Sequence, residues 1–210
     1  ERCSDENSQN KKHISKEIIG TQSNILEGKK IVLCITASVA AYKAIDLSRT
    51  LMRNGAEVFP VMSKSTKSKL LTEEMMNWAT GNKTVSELTS DLEHIALANY
   101  GKSDIVIVYP CTANTLGKFA NGIEDNPVTT VLSVAFGSGI PIVIAPAMHE
   151  AMYENIIIME NIKKLKSLGV SILEPSIIED KAKVISADKV VQFVINKITT
   201  PKARIKSKIN

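Results

Sequence analysis

Residues 30–38 read Lys30-Ile31-Val32-Leu33-Cys34-Ile35-Thr36-Ala37-Ser38. A short apolar run with β-branched residues is typical of a parallel strand that is buried on both faces. The run ends at small residues with hydroxyl groups, and a helical pattern follows from Ala40 to Asn54, with Gly55 as its stop signal. This stretch therefore predicts a βα unit, in which a buried strand turns directly into a helix.

The strand-then-helix pattern recurs along the chain. Further strands are predicted at residues 56–62, 105–109, 140–145 and 170–173, and further helices at 72–80, after 115, at 154–168 and at 187–198. The third and fourth strands are predicted to stop at Pro110 and Pro146. The alternation predicts an α/β fold with one doubly wound, Rossmann-like parallel sheet. Because ligands bind such sheets beyond the carboxyl ends of the strands, function is expected in the strand-to-helix turns.

Length and composition fit a single domain with two polar ends. A chain of 210 residues with 44% hydrophobic content can build one core. We predict an N-terminal arm at 1–28, the folded domain at 29–198, and a basic tail or severed linker at 199–210. The net charge of +4 reflects that tail, which we interpret as solvated, so no nucleic-acid partner is predicted.

Three sparse cysteines and the absence of a leader-like segment indicate a reducing cytoplasm. Cys3, Cys34 and Cys111 form no CxxC pair, and the three histidines show no metal-ligand spacing, so no metal is predicted. No apolar stretch approaches the roughly 20 residues that cross a membrane, so no membrane partner is predicted.

The first two turns suit a phosphate group. Ala37, Ser38 and Val39 follow the first strand, where free backbone N–H groups and the helix dipole favour an anion. The alternative is simple N-capping by Ser38. The turn is neither GxGxxG nor a Walker A loop, so neither a dinucleotide nor a nucleoside triphosphate is predicted. The second turn contains Ser63-Lys64-Ser65, which could form a second wall of the same site or an ordinary surface turn.

The third turn, Thr112-Ala113-Asn114-Thr115, offers hydrogen-bonding groups around an approachable backbone. Such a segment suits the polar edge of a flat heterocycle, although a plain helix cap is the alternative. The fourth turn carries Ala147, Met148 and His149. His94 precedes the third strand, and histidine is the side chain best able to move protons near neutral pH. For both histidines an exposed surface position remains the alternative.

Taken together, the turns resemble the family of homo-oligomeric, FMN-containing cysteine decarboxylases. The resemblance covers about residues 13–198 and rests on residues 36–43, 110–118 and 146–149. The chain is most similar to the phosphopantothenoylcysteine decarboxylase half of the bifunctional coenzyme A biosynthesis protein, through residues 13–20, 28–32 and 121–125. The resemblance implies FMN-dependent decarboxylation of 4'-phospho-N-pantothenoylcysteine to 4'-phosphopantetheine, with a downstream synthetase domain missing from this sequence.

The resemblance also implies roles for individual residues. The FMN phosphate and ribityl chain would contact Ala37, Ser38, Val39, Ser63, Lys64 and Ser65. The flavin ring and the subunit junction would be bordered by Thr112, Ala113, Asn114, Thr115 and Ala147. His94 would be the catalytic acid/base, and substrate would bind to His149, Asn114 and Met148. The implied assembly is a trimer or a dodecamer with FMN between subunits.

In the implied mechanism, FMN oxidises the cysteinyl thiol to a thioaldehyde, an electron sink that allows CO₂ to leave. Reduced flavin then returns the electrons.

Three positions depart from the family pattern. Ala37 replaces a commoner glycine, which is tolerable if its φ is negative. His149 stands where many members have an asparagine that binds the substrate carboxylate, and an imidazole can also donate to a carboxylate. The flap stretch at 174–184 lacks the usual cysteine. Lys181, Lys183 or solvent would then be the proton donor, or the reaction would stop early.

Three alternative functions follow from related folds. A flavin prenyltransferase would need a basic pocket for an isoprenyl phosphate, which residues 121–125 fit less well. A non-catalytic regulator would keep the fold and bind a protein partner. A nicotinamide-dependent Rossmann enzyme is disfavoured because GxGxxG is absent.

Overall fold

A computed structural model describes residues 13–178 and 181–200. Its main sheet has five parallel strands in the order β2-β1-β3-β4-β6. They are β1 Lys30–Ile35, β2 Glu57–Met62, β3 Ile105–Cys111, β4 Ile142–Pro146 and β6 Ser171–Ile172. A small antiparallel sheet, in the order β5-β8-β7, consists of β5 Met148–His149, β7 Ser176–Ile178 and β8 Lys181–Lys183. The predicted doubly wound parallel fold is confirmed, whereas the small sheet was not predicted.

Nine α-helices occur in the described residues. They are α1 Lys43–Arg53, α2 Lys64–Lys69, α3 Glu73–Thr80, α4 Glu93–Ala98, α5 Ala113–Ala120, α6 Pro127–Gly137, α7 Glu150–Tyr153, α8 Ile156–Ser167 and α9 Ala187–Thr199. Helices α1, α3 and α9 pack together, and a second group comprises α4, α5, α6 and α8.

Two apolar cores cover the two faces of the sheet, because successive side chains of a strand point in opposite directions. In β1, Ile31 and Leu33 belong to one core, whereas Val32 and Cys34 belong to the other. All seven residues of β3 are buried. A strand buried on both faces explains why the apolar runs in the sequence are continuous instead of alternating.

Strand β3 continues past the predicted stop at Pro110, so that prediction was wrong. The Tyr109–Pro110 peptide bond is cis, and Cys111 still pairs with Pro146 across a register shift. Proline lacks an N–H donor, and at such an irregularity the ladder requires none. The first helix also begins differently from the prediction, because a short 3₁₀ helix over Val39–Tyr42 precedes α1.

Residues 13–28 pack against the domain. Ile14–Ile18 form a short 3₁₀ helix, and Leu26 is fully buried in the core that contains α1. Gly55 allows this approach, because a Cβ at that position would lie 2.8 Å from the backbone nitrogen of Glu27. The remainder of the predicted arm, residues 1–12, and most of the predicted tail, 201–210, lie outside the described residues.

Candidate active site

The turns after β1 and β3 meet where the winding of the sheet reverses. The chain leaves β1 toward β2 on one side and leaves β3 toward β4 on the other. A crevice at the carboxyl ends of two such strands is the usual ligand site of a doubly wound sheet. Ala37 from the first turn and Thr112 from the third turn both line cavities at this point.

Thr36 joins these two turns. Its buried hydroxyl donates to the carbonyl oxygen of Pro110 at 2.8 Å and accepts from the N–H of Thr112 at 3.0 Å. Buried polar groups that are fully paired hold a loop in one arrangement, since losing a partner is costly. Thr36 therefore fixes the spacing between the two turns.

Thr66 has the same role for the turn after β2. It is fully buried, and its hydroxyl lies 2.8 Å from the hydroxyl of Ser63 and donates to the carbonyl oxygen of Ile35 at 3.2 Å. The second turn is therefore bound to the end of β1. Lys64–Lys69 form helix α2 with Ser63 as its N-cap, so the segment is the start of a helix, with Lys64 and Ser65 exposed.

A cavity of ≈ 150 Å³, which we call the hydroxyl pocket, lies among these turns. It is lined by Ala37, Ser63, Lys64, Ser65, Thr112, Asn114, Thr115, Lys118, Asp125 and Asn126. Three of its residues are helix N-caps, namely Ser63 of α2, Thr112 of α5 and Asn126 of α6. The N-termini of helices carry partial positive charge and unpaired N–H groups, so the pocket suits an anion.

Lys118 and Asp125 form an ion pair of 2.5 Å at the rim of the hydroxyl pocket. Hydrogen bonds, first from Lys118 and then from Asn126, hold the pKa of the Asp125 carboxyl below its usual value. Two lysines line this pocket in the described part of the chain, and the one that is not in this ion pair is Lys64.

A central cavity of ≈ 400 Å³ adjoins the hydroxyl pocket, with Ala37, Thr112 and Asn114 lining both. Its full lining is Ala37, Ser38, Thr112, Ala113, Asn114, Ala147, Met148 and Met152. Three alanines and two methionines give it small and adaptable walls, which suit a flat apolar ring. Ala37 is outside the positive-φ region, in which Leu92 is the single non-glycine among the described residues. The φ of Ala37 is therefore not positive, and the backbone tolerates its methyl group as predicted.

A third cavity, the flap cavity, has a volume of ≈ 440 Å³ and continues from the central one. Its lining is Ser38, Val39, Ala40, Tyr42, Lys43, Ala147, Met148, His149, Lys183 and Val184. The small sheet forms one wall, because β5 pairs with β8 through Met148 with Ala182 and His149 with Lys181. Lys183 lines this cavity, whereas the side chain of Lys181 lies outside the described part of the structure.

Tyr109 ties the chain that follows the small sheet to the centre of the main sheet. Its fully buried side chain donates from Oη to the carbonyl oxygen of Ile185 at 2.8 Å. Burial, followed by the nearby Asp46 and Tyr42, raises the pKa of Tyr109 to about 12. The phenol therefore remains protonated and able to donate at neutral pH.

His149 caps helix α7 with one ring nitrogen. Its Nδ1 accepts from the N–H of Ala151 at 3.3 Å, so the neutral ring carries its proton on Nε2. Because His149 lines the flap cavity, Nε2–H is the group available to donate to a ligand there. An asparagine at this position could make both interactions, with its oxygen as the cap and its amide N–H as the donor.

His94 does not line any of the three cavities. It lies in the first turn of α4, which packs on α6, and its Nδ1 is buried without a hydrogen-bond partner among the described residues. The other predicted site residues all line at least one of the three cavities, whereas His94 lines none of them.

Several lining residues were not predicted, namely Tyr42, Lys43, Lys118, Asp125, Asn126 and Met152. The capping sequence Asn126-Pro127 with Thr129 signals the start of helix α6, and could have identified the edge of the hydroxyl pocket. The described cysteines, Cys34 and Cys111, are buried, and burial raises the pKa of both thiols far above the usual value. They are therefore unreactive.

The fold and the cleft define a doubly wound α/β protein with a ligand site at the switch point of its sheet. The chain belongs to the Flavoprotein family, whose model matches residues 19–199. This finding confirms the family resemblance. Within the described residues, no helix is both long and apolar enough to cross a membrane.

Two curated relatives illustrate the similarity. The "Coenzyme A biosynthesis bifunctional protein CoaBC" of Thermococcus kodakarensis is 50% identical over 188 residues, which cover 89% of this chain and 46% of the relative. The "Probable phosphopantothenoylcysteine decarboxylase" of Streptococcus mutans is 38% identical over 151 residues, covering 70% of this chain and 83% of the relative. The chain therefore spans about half the length of the bifunctional relatives that it matches.

Solved structures share the fold. "Peptidyl-cysteine decarboxylase EpiD" superposes with a TM-score of 0.71 at 27% identity, covering 80% of this chain and 99% of that one. A PPC decarboxylase mutant complexed with pantothenoylaminoethenethiol has a TM-score of 0.67 at 24% identity, covering 79% of this chain and 96% of that one.

Proposed function

We propose that this chain binds FMN and decarboxylates 4'-phospho-N-pantothenoylcysteine to 4'-phosphopantetheine, a step of coenzyme A biosynthesis. The continuity of the three cavities, with an anion site at one end and small side chains in the middle, is the observation that carries the proposal. The 50% identity to a bifunctional coenzyme A biosynthesis protein supports the choice of substrate.

The residues of the cleft fit FMN. The phosphate would bind in the hydroxyl pocket, to the hydroxyls of Ser63, Ser65 and Thr112 and the ammonium of Lys64. The ribityl chain would pass Ala37, Ser38 and Val39, and the ring would lie in the central cavity beside Ala113, Asn114, Thr115 and Ala147. When bound, FMN would supply a reversible two-electron acceptor for the cysteinyl thiol.

The protein would position the carboxylate and move a proton. His149, through Nε2–H, and Asn114, through its side-chain amide, would donate hydrogen bonds to the carboxylate. Met148 lines both the flap cavity and the central cavity and would contact the substrate between these two residues. A carboxylate held by oriented donors needs less reorganisation as CO₂ forms. His94 would act as the acid/base.

His94 lines none of the three cavities, which fits a homo-oligomer, a trimer or a dodecamer, in which His94 reaches the cleft of a neighbouring subunit. An exposed apolar patch is available for such contact, formed by Met152, Ile156, Ile157 and Met159 near the central cavity. Light scattering of the purified protein tests the assembly. We also propose a cytoplasmic location, because the described cysteines are free.

The experiment that tests the function measures CO₂ release from 4'-phospho-N-pantothenoylcysteine by the FMN-loaded protein. We expect turnover by the unaltered chain and a loss of about 100-fold or more for His94→Asn, since a positioned acid/base contributes that much. The His94→Asn variant should keep the absorbance of bound flavin. Full activity of that variant would exclude His94 from the mechanism. A purified protein that does not bind FMN would contradict the proposed function as a whole.

A further inference from the structure

A group of three hydrogen-bonded side chains connects the short helix that follows His149 to the rest of the fold. Tyr153, the last residue of α7, donates from Oη to the carboxylate of Glu174, and Lys166 of α8 forms an ion pair with the same carboxylate. Glu174 lies between strand β6 of the main sheet and strand β7 of the small sheet. The carboxylate therefore connects α7, α8 and the segment that leads from one sheet to the other.

Helix α7 is too short to be stable on its own, so its position depends on what it contacts. It is a single turn of four residues, and none of them is buried. Two side chains of the cleft are nevertheless attached to it, because His149 is its N-cap and lines the flap cavity, and Met152 lines the central cavity. The ring of Tyr153 packs against the core on the α8 side of the sheet, and its Oη reaches the carboxylate of Glu174.

A continuous set of contacts runs from the main sheet to the imidazole. The residue before Glu174, Leu173, is buried, and its N–H donates to the carbonyl oxygen of Ile144 in β4 at 2.8 Å. At the other end, the N–H of Ala151 donates to Nδ1 of His149 at 3.3 Å. The first turn of α7 therefore sets the orientation of the ring, and Glu174 holds the last turn residue from a segment that is fixed to the sheet.

Both partners of the Tyr153–Glu174 bond have the protonation state that the bond requires. Burial, followed by the hydrogen bond to Glu174, raises the pKa of Tyr153 well above its usual value, so the phenol keeps the proton that it donates. Burial would raise the pKa of Glu174, but hydrogen bonds from Lys166 and Tyr153 outweigh it and hold this pKa below its usual value. A charged acceptor makes a stronger hydrogen bond than a neutral one, so this bond is charge-assisted at neutral pH.

We propose that Glu174 is a positioning residue, which acts through Tyr153 to hold α7 where it directs Nε2–H of His149 to the carboxylate of the substrate. The inference rests on the proposed function and adds to it two residues, Tyr153 and Glu174, that line none of the three cavities. Because Glu174 also precedes the small sheet, it fixes the imidazole relative to the strands that cover the flap cavity.

The test measures the binding of two ligands to the FMN-loaded protein by calorimetry. One ligand, 4'-phospho-N-pantothenoylserine, keeps the carboxylate but has no thiol to be oxidised, whereas 4'-phosphopantetheine has no carboxylate. In Tyr153→Phe and in Glu174→Ala, we expect Kd for the serine analogue to rise about fivefold, the size expected for one lost hydrogen bond. Kd for 4'-phosphopantetheine should stay the same, because that ligand offers nothing for the imidazole to orient.

Two further variants separate the hydrogen bond from the ion pair. Glu174→Gln keeps a side-chain oxygen that accepts from Tyr153, and Lys166→Gln removes only the cation, so both should bind the serine analogue almost as the unaltered chain does. In a His149→Ala background, Tyr153→Phe should have no further effect, since a residue that acts through another has no effect in its absence. The carboxylate and the ammonium are exposed, so melting temperatures should change little.

Three results would overturn the assignment. They are a Kd that changes equally or not at all for the two ligands, an effect of Lys166→Gln as large as that of Tyr153→Phe, and an undiminished effect of Tyr153→Phe in the His149→Ala background. The proposed function fails differently, when the unaltered protein neither binds the serine analogue nor releases CO₂ from 4'-phospho-N-pantothenoylcysteine. The two failures can therefore be told apart.

Discussion

The hydroxyl pocket and the flap cavity lie at the two ends of one cleft, and their walls are built differently. The turns around the hydroxyl pocket are held by hydroxyl groups that are fully buried in the core, those of Thr36 and Thr66. The flap cavity is covered by strands of two or three residues, and Tyr109 ties the chain beyond them to the main sheet.

This difference indicates where the molecule is preorganised. A loop held by buried and fully paired groups opens only at high cost, whereas short strands supported by few interactions open locally at lower cost. The end that would hold a permanent cofactor is therefore rigid. The end that would admit and release substrate is covered by strands of two or three residues, and such short strands open locally at lower cost.

The largest effect is expected from Thr36→Val, which breaks the rigid end. The valine keeps the shape but leaves the partly buried N–H of Thr112 without its partner, which should cost about 1 kcal/mol or more of unfolding free energy. Because the two turns then lose their fixed spacing, the affinity for FMN should fall as well. Urea unfolding and fluorescence titration with FMN measure the two effects. Thr36→Ser is the matched control and should retain both properties, and undiminished FMN affinity in Thr36→Val contradicts the proposed role of Thr36.

A smaller and more selective effect is expected from Tyr109→Phe at the flap end. The variant removes one hydrogen bond to the carbonyl oxygen of Ile185, worth about 1 kcal/mol. The chain next to Ile185 contains Lys183 and Val184, which line the flap cavity. Because this chain is then held less firmly, KM for the substrate should rise while FMN affinity stays constant. Steady-state kinetics beside flavin titration separates these outcomes. A fall in FMN affinity equal to that of Thr36→Val would contradict the proposal that the flap end acts on substrate binding alone.

The smallest effect is expected from removing a pair of hydrogen bonds that is exposed to solvent. The N–H and hydroxyl of Thr89 donate to the carboxylate of Glu93 at 2.9 and 2.6 Å, and these bonds lower the pKa of Glu93 to about 2. A lowered folded-state pKa stabilises the protein above the unfolded value near 4.3, and this contribution is lost as the pH falls toward 2. Because the pair is exposed, the contribution should be small.

Melting temperatures of Glu93→Gln and the unaltered chain, measured from pH 7 to pH 2.5, test this expectation. The two should differ slightly at pH 7 and become steadily more alike as the pH falls from about 4.3 to 2.5. A difference that grows as the pH falls would reverse the predicted sign.

Much of the site was predictable because its residues follow buried strands. The apolar run that leads to Thr36 marks where β1 ends, and the strand ends of a parallel sheet share one edge. The turns at 36–39, 63–65, 112–115 and 147–149 were therefore correctly expected to lie together at the cleft. The stop at Pro110 was misplaced, since local sequence does not reveal a ladder that continues across an irregularity.

The positions of Lys43, Asp125 and Thr36 relative to the cleft could not be read from the sequence alone. Lys43 falls within a segment that the sequence already singled out, yet its relation to Lys183 depends on a small sheet built from segments about 30 residues apart. The ion pair of Asp125 with Lys118 likewise arises where α5 and α6 meet. Sequence spacing does not give such distances.

By itself, the sequence determined the parallel α/β fold, the family, and the segments that form the cleft, because these follow from local hydrophobic runs and from the short turns after them. Only the tertiary structure decided that three cavities join into one cleft, that lysines from α1 and β8 share its far end, and that His94 is not among the residues lining these cavities. The physical reason is that strand and turn signals act over a few residues, whereas a site is closed by side chains that packing brings together from distant parts of the chain.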